Sequence, residues 1–162
     1  MKKSTYLGAA VVAAAFALPA NAQDVVKIGQ IEAQTGPLAT YGWMGFQGAK
    51  LAIEEINKSG GFKVGPKTYK LELVAHDTRG NPQEALIQMK QLLEQAKVKY
   101  VFGPFLTNVF NGIEPYATQN NGKFLMMSGA TASHALLGSP NREYLMRTWN
   151  WDAGEAGFGP NQ

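Results

Sequence analysis

The sequence predicts an α/β domain built on a doubly wound parallel sheet, and three observations carry that prediction. Short apolar strands alternate with longer segments of helical periodicity along the whole chain after residue 22. Each strand ends in a loop rich in glycine, proline or hydroxyl residues. The connections are long enough for right-handed helical crossovers, which place consecutive strands parallel and cover both faces of the sheet.

The first strand is Val25 to Ala33, which reads as a buried strand of a parallel sheet. Gln34 to Trp43 reads as a polar loop carrying Tyr41 and Trp43, and Gly45 to Asn57 as a helix with Leu51, Ala52, Ile53 and Ile56 turned inward. Ser59-Gly60-Gly61 ends that helix. Tyr69 to Ala75 alternates as a second strand, with Leu71, Leu73 and Ala75 on one face. A second helix begins at Pro82, where a missing N–H costs nothing, and spaces Ala85, Leu86, Met89, Leu92 and Leu93 along one side. Lys99 to Phe102 is a third strand, Asn108 to Thr118 a third helix, Phe124 to Met127 a fourth strand and Tyr144 to Thr148 a fifth.

The first 22 residues have a different character. Lys2 and Lys3 precede an apolar run from Leu7 to Leu18, and Ala20-Asn21-Ala22 follows, which is the form of a secretory signal with an A-x-A cleavage site. The run is shorter than the roughly 20 apolar residues a bilayer-spanning helix needs, and no second run follows. Removing this leader and its two lysines leaves 140 residues and lowers the formal charge from +3 to +1. The remaining basic residues form no stripe, so nucleic acid is not the expected partner. With no cysteine anywhere, the chain has no disulfide and no lipid-anchored cysteine at the cleavage point.

In an open parallel sheet, ligands bind beyond the carboxyl ends of the strands. Three loops lie there: Gln34 to Trp43, Pro104 to Asn108, and Ser128 to Ser133. Thr107 or Asn108 can cap the third helix, whose free N–H groups and dipole favour an anion such as a carboxylate. The third loop offers hydroxyls and small residues that let a ligand approach the backbone. Gly42, Gly45 and Gly48 lack the spacing of a dinucleotide fingerprint and read as helix-packing residues.

Catalytic readings find less support. His76 and His134 have no metal-ligand spacing to other residues, and no G-x-S-x-G surrounds Ser128 or Ser133. Asp77, ahead of a Gly-Asn-Pro turn, reads as a residue that bonds local backbone. No cofactor or metal is expected.

The segments VVKIGQIEAQTGPLATYGWMGFQGAKLAIEEIN from Val25, LELVAHDTRGNPQEAL from Leu71, KYVFGPFLTNV from Lys99, KFLMMSGATA from Lys123 and YLMRT from Tyr144 together resemble the periplasmic substrate-binding proteins of branched-chain amino acid ABC transporters, the leucine/isoleucine/valine-binding type. The resemblance covers essentially the whole chain after the leader. It implies a periplasmic-binding fold, with residues 1–22 as signal peptide, 23–148 as the first lobe and 149–162 as a crossover into a second lobe that is cut short. It further implies a periplasmic binding protein with no enzymatic activity, monomeric when full length, that captures a branched-chain or related small amino acid or carboxylate and delivers it to a membrane permease. Two other readings stay open: a receptor's ligand-sensing domain of the same fold, and a binding protein for aromatic acids, amides or urea.

Residue by residue, the resemblance places the ligand's α-carboxylate on Thr107 and the surrounding backbone, and on the backbone at Ala130 and Thr131, with the Thr131 hydroxyl also helping to fix the α-ammonium. Tyr41 would line the pocket, with Trp43 a further contact. Leucine-type members carry Ala-Ala-Thr where this chain has Ala130-Thr131-Ala132, which shifts the hydroxyl by one residue and leaves Ser133 as its alternative. Gly80 and Leu106 stand where some members have a disulfide pair. In the family the chain returns to the first lobe after visiting the second, so a first lobe alone is expected to expose apolar surface.

Overall fold

The computed structural model describes residues 24–129, 131 and 143–148. The elements run β1 (Asp24–Glu32), α1 (Ala39–Lys58), β2 (Phe62–Val64), β3 (Lys67–Asp77), α2 (Pro82–Lys90), β4 (Tyr100–Phe102), α3 (Thr107–Gln119), β5 (Leu125–Ser128) and β6 (Leu145–Arg147). They form a six-stranded sheet in the order β2-β3-β1-β4-β5-β6. Every pairing is parallel except the edge hairpin β2-β3. The fold is the α/β class the alternation predicts, and the strand order reverses between β1 and β4, where ligand crevices form.

The hairpin was outside the sequence expectation. Gly65-Pro66 supplies its turn, with Gly65 at a positive φ of 56°. Gly61 must also be glycine, because at φ 98° a β-carbon there would lie 2.1 Å from the Tyr69 carbonyl oxygen.

The faces of the sheet differ in how well they are covered. On one face, Ile31, Val101, Met126 and Leu145 are packed by Ala85 and Met89 of α2, Leu92, and Val109, Phe110, Ile113 and Ala117 of α3. These two helices also touch closely, since a β-carbon on Gly112 would fall 2.4 Å from the Pro82 side chain. Pro82 sits in the first turn as expected, and Asn81 caps the helix by accepting from the N–H groups of Gln83 and Glu84. Beyond Lys90 the helix widens into one π-helical turn, Gln91–Gln95, closed by the Ala96 N–H on the Gln91 carbonyl at 3.0 Å.

Among the described residues, the opposite face carries α1 alone. Because side chains alternate along a strand, Tyr100, Phe102 and Met146 lie on this side, paired in register with Ile28, Gln30 and Met127. They remain 43–45% exposed, against 0–6% for Val101, Met126 and Leu145 on the packed face. A groove of about 430 Å³ runs between α1 and the sheet, floored by Ile28, Gln30, Glu32 and Phe102.

Three expectations for α1 need correction. The helix begins at Ala39 and not at Gly45, so Tyr41 and Trp43 stand on its first turns and not in a loop. Leu51 points to solvent, and Ala52 is exposed on the rim of the groove, leaving Ile53 and Ile56 half-buried. Of the three glycines Gly42 is tightly packed, a β-carbon there meeting the Ala33 carbonyl oxygen at 2.2 Å; at Gly45 it would stand in ordinary contact with the Glu32 side chain at 3.5 Å, and at Gly48 it would meet nothing within 4 Å. The close approach at Gly42 is the tertiary reason the helix can start so early on glycine and aromatic residues.

Candidate ligand-binding site

Parallel pairing of β3, β1, β4 and β5 brings the loops that follow them to one edge of the sheet. Asp77, at the end of β3, anchors the loop after β1: one carboxylate oxygen accepts from the N–H groups of Gln34, Thr35 and Arg79, and the other accepts from the Thr35 hydroxyl. The residue thus bonds backbone, as expected, but reaches the first loop as well as its own turn. Its pKa lies below the ordinary value. Burial, the largest single influence, raises it, and the donors from Thr35, Arg79 and Gln34 together outweigh that.

The loops after β4 and β5 are laced by Ser128. Its hydroxyl donates to the Pro104 carbonyl at 2.7 Å and accepts from the Thr131 N–H at 3.1 Å. Thr148 adds a second tie, its N–H reaching the Ser128 carbonyl and its hydroxyl the Gly129 carbonyl, both at 3.1 Å. The Gly103-Pro104 peptide is cis. Phe105 then turns the chain into α3, and its ring stacks on Tyr41 with centroids 5.3 Å apart and planes at 18°.

Thr107 is the first residue of α3 itself. Leu106 takes the cap position without a side-chain cap bond, so the expectation that Thr107 or Asn108 caps the helix is not met. The amino end of this 13-residue helix, with Thr107 in its first turn, stands at this edge and carries the positive end of the helix dipole. Thr131 is fully buried, and its hydroxyl has no hydrogen-bond partner among the described residues. Gly80 and Leu106 are neighbours, a β-carbon on Gly80 falling 3.4 Å from a Leu106 methyl, where the sequence resemblance puts a disulfide in some relatives.

The edge therefore gathers Tyr41, Thr107 and Thr131 from the sequence expectation. Trp43 lies two residues beyond Tyr41, on the far side of α1, with its ring against Phe46. Ala130 and Ser133 fall outside the described residues, as does His134. His76 is engaged by the Gln88 side chain, and no group of three acidic or histidine residues is placed to hold a metal among the described residues.

Sequence reasoning missed Ser128 as the tie between loops, Phe105 as the stacking partner, and the pair Gln30 and Glu32. Both members of that pair are buried, at 2% and 6% exposure, on the α1 face of β1. Glu32 accepts the Phe105 N–H on one oxygen at 3.0 Å. Burial pushes its pKa up from 4.5 to about 7, against the opposing pull of that N–H. The signal was available as two polar residues at alternate positions on either side of Ile31 at the end of the strand.

The sequence profile described as "Periplasmic binding protein" matches residues 25–157. This chain belongs to the periplasmic binding protein family. The family is one of binding proteins and not of enzymes, and no helix among the described residues is long and apolar enough to cross a membrane. Among relatives, the Leu/Ile/Val-binding protein of Escherichia coli (strain K12) is 28% identical over 151 residues, 93% of this chain and 39% of its own length. A solved structure of the branched-chain amino acid transporter substrate binding protein LivJ from Streptococcus pneumoniae, in complex with isoleucine, superposes with a TM-score of 0.67 at 29% identity, covering 78% of this chain and 34% of that one. A solute binding protein of an ABC transporter from Rhodopseudomonas palustris BisB5, in complex with 3,4-dihydroxy benzoic acid, gives 0.63 at 25% identity over 79% and 33%. The chain spans little more than a third of the length of these relatives and corresponds to a single lobe.

Proposed function

We propose that this chain is the first lobe of an extracytoplasmic solute-binding component of an ABC importer, and that it holds the carboxylate end of a branched-chain or related small amino acid for delivery to a membrane permease. Residues 1–22 act as the export signal, 23–148 form the lobe, and 149–162 begin the crossing to a partner lobe. One observation supports the reading: Thr131, whose buried hydroxyl has no partner among the described residues, is tied through Ser128 to Pro104, in the loop that leads into Thr107 at the amino end of α3. Neutral hydroxyl and N–H donors hold a carboxylate without a buried counter-charge, so binding is specific and still reversible. Thr107, Thr131 and the adjoining Ala130 provide these contacts, Tyr41 walls the pocket, and Ser133 is the alternative hydroxyl to Thr131. Names of the relatives support the ligand class.

No bond is made or broken. Ligand favours the closed arrangement of two lobes by binding it more tightly than the open one. Isothermal titration of the full chain with L-leucine is expected to give a Kd weaker than micromolar, since one lobe supplies half of the contacts, and Thr107→Ala is expected to abolish the heat. Micromolar or tighter binding would contradict the half-site reading. An aromatic carboxylate is the second reading, favoured by the stacked Tyr41–Phe105 pair beside the edge and by the ligand in the Rhodopseudomonas relative. Titration with 3,4-dihydroxybenzoate in parallel decides between them.

A further inference from the structure

The residues that close three of the parallel strands are polar, and each bonds a loop that leaves a neighbouring strand. Asp77, Glu32 and Ser128 are the last residues of β3, β1 and β5. Asp77 holds the loop after β1 through the N–H groups of Gln34 and Thr35. Ser128 holds the loop after β4 through the Pro104 carbonyl. Glu32 reaches that same loop from β1, on the other flank of β4, and accepts the Phe105 N–H at 3.0 Å across 73 residues of chain.

Glu32 lies hard against the segment it holds. Its side chain is nearly enclosed, and a β-carbon on Gly103, where φ is 89°, would fall 2.7 Å from its other oxygen. A residue that only filled this space would be apolar, because a buried carboxyl is costly. What the acid adds is the bond to Phe105. The Phe105 ring stacks on Tyr41, and the chain enters α3 two residues later at Thr107. One hydrogen bond therefore fixes the residue that joins the aromatic wall to the amino end of α3.

We propose that Glu32 is a positioning residue for the ligand edge, setting Phe105 and through it the Tyr41 wall and the first turn of α3. The inference rests on the reading of this edge as a solute site and adds to it a residue that orients the site from outside. Burial raises the carboxyl pKa to about 7, so the bond changes character near neutral pH. The ionised form accepts a charge-assisted bond, roughly twice as strong as a neutral one. From β3 the charged groups at this level are Asp77, in register with Glu32, and Arg79 in the turn that follows. Asp77, which the loop donors hold below its ordinary pKa in spite of its burial, stays ionised throughout this range. On the other sides, α1 sets Gly45 against Glu32 and the loop after β4 sets Gly103, neither of them charged.

Amide spectra of the isotopically labelled full chain, followed from pH 5.5 to 8.5 without ligand, test the positioning. The Phe105 amide proton is expected to move downfield with a midpoint near pH 7 in the wild type and to stay level in Glu32→Gln. L-leucine is then titrated at pH 6 into the wild type, Glu32→Gln, which keeps the acceptor, and Glu32→Leu, which removes it, each variant's own spectrum reporting that it is folded. Glu32→Leu is expected to bind roughly fivefold more weakly or worse through lost preorganisation, with Glu32→Gln restored to the wild-type affinity. A level Phe105 profile in the wild type, the same profile in Glu32→Gln, or equal leucine affinity in Glu32→Gln and Glu32→Leu overturns the proposal. Absence of leucine binding to the wild type counts against the solute-site reading, and the Phe105 profile, recorded without ligand, then decides the positioning by itself.

Discussion

Glu32 is where the sequence and the fold are in sharpest tension. A carboxyl group buried on a strand with one N–H for company is more stable protonated, and its pKa of about 7 against 4.5 expresses that cost. The native state therefore binds more protons than the unfolded chain between about pH 4.5 and 7, so the Glu32 contribution to stability falls as pH rises through that window and is fully lost above it. At 1.36 kcal/mol per pKa unit the loss is about 3 kcal/mol. Glu32→Gln is expected to be near neutral at pH 4.5 and stabilising at pH 8 in the absence of ligand, as read by urea denaturation at the two pH values; equal effects at both would contradict the burial argument. Thr107 stood out in the sequence as a hydroxyl at a helix start after a strand, and the structure puts it in the first turn of α3 and not at the cap. Glu32 did not stand out, because a single strand reading absorbs one or two polar residues without comment.

At the scale of the element, apolar periodicity located every helix and every parallel strand of the described region, since each turns one stripe or face toward the sheet or the helices that cover it. The places it failed have specific causes. The amino end of α1 carries glycine and aromatic residues of poor helix propensity, and only the fit of Gly42 onto the Ala33 carbonyl, a contact made in the folded sheet, shows why the helix extends there. β2 is three residues of an edge hairpin, too short for a period to register. The elements on the packed face should dominate stability: Phe110→Ala, at a fully buried site facing the sheet, is expected to cost about 3–5 kcal/mol in denaturant unfolding. Asn81→Ala removes the acceptor for two N–H groups at the start of α2 and should cost about 0.5–2 kcal/mol in the same measurement.

The whole molecule is asymmetric across its sheet. A parallel sheet is stable when helices cover both faces, and here α2 and α3 cover one while α1 covers only part of the other, leaving Tyr100, Phe102 and Met146 in solvent. The chain corresponds to a single lobe of longer relatives. The dye 1-anilinonaphthalene-8-sulfonate is expected to fluoresce on the folded chain and to lose most of that signal in Phe102→Lys, whereas an unchanged signal would place the apolar surface elsewhere. The central claim is that a small carboxylate binds where the loops after β4 and β5 meet α3, and amide chemical-shift mapping tests it most directly. Titration of the isotopically labelled chain with L-leucine is predicted to move the resonances of Phe105, Leu106, Thr107, Gly129 and Thr131 together along one binding curve. Shifts confined to other residues, or none at saturating concentration, would contradict it.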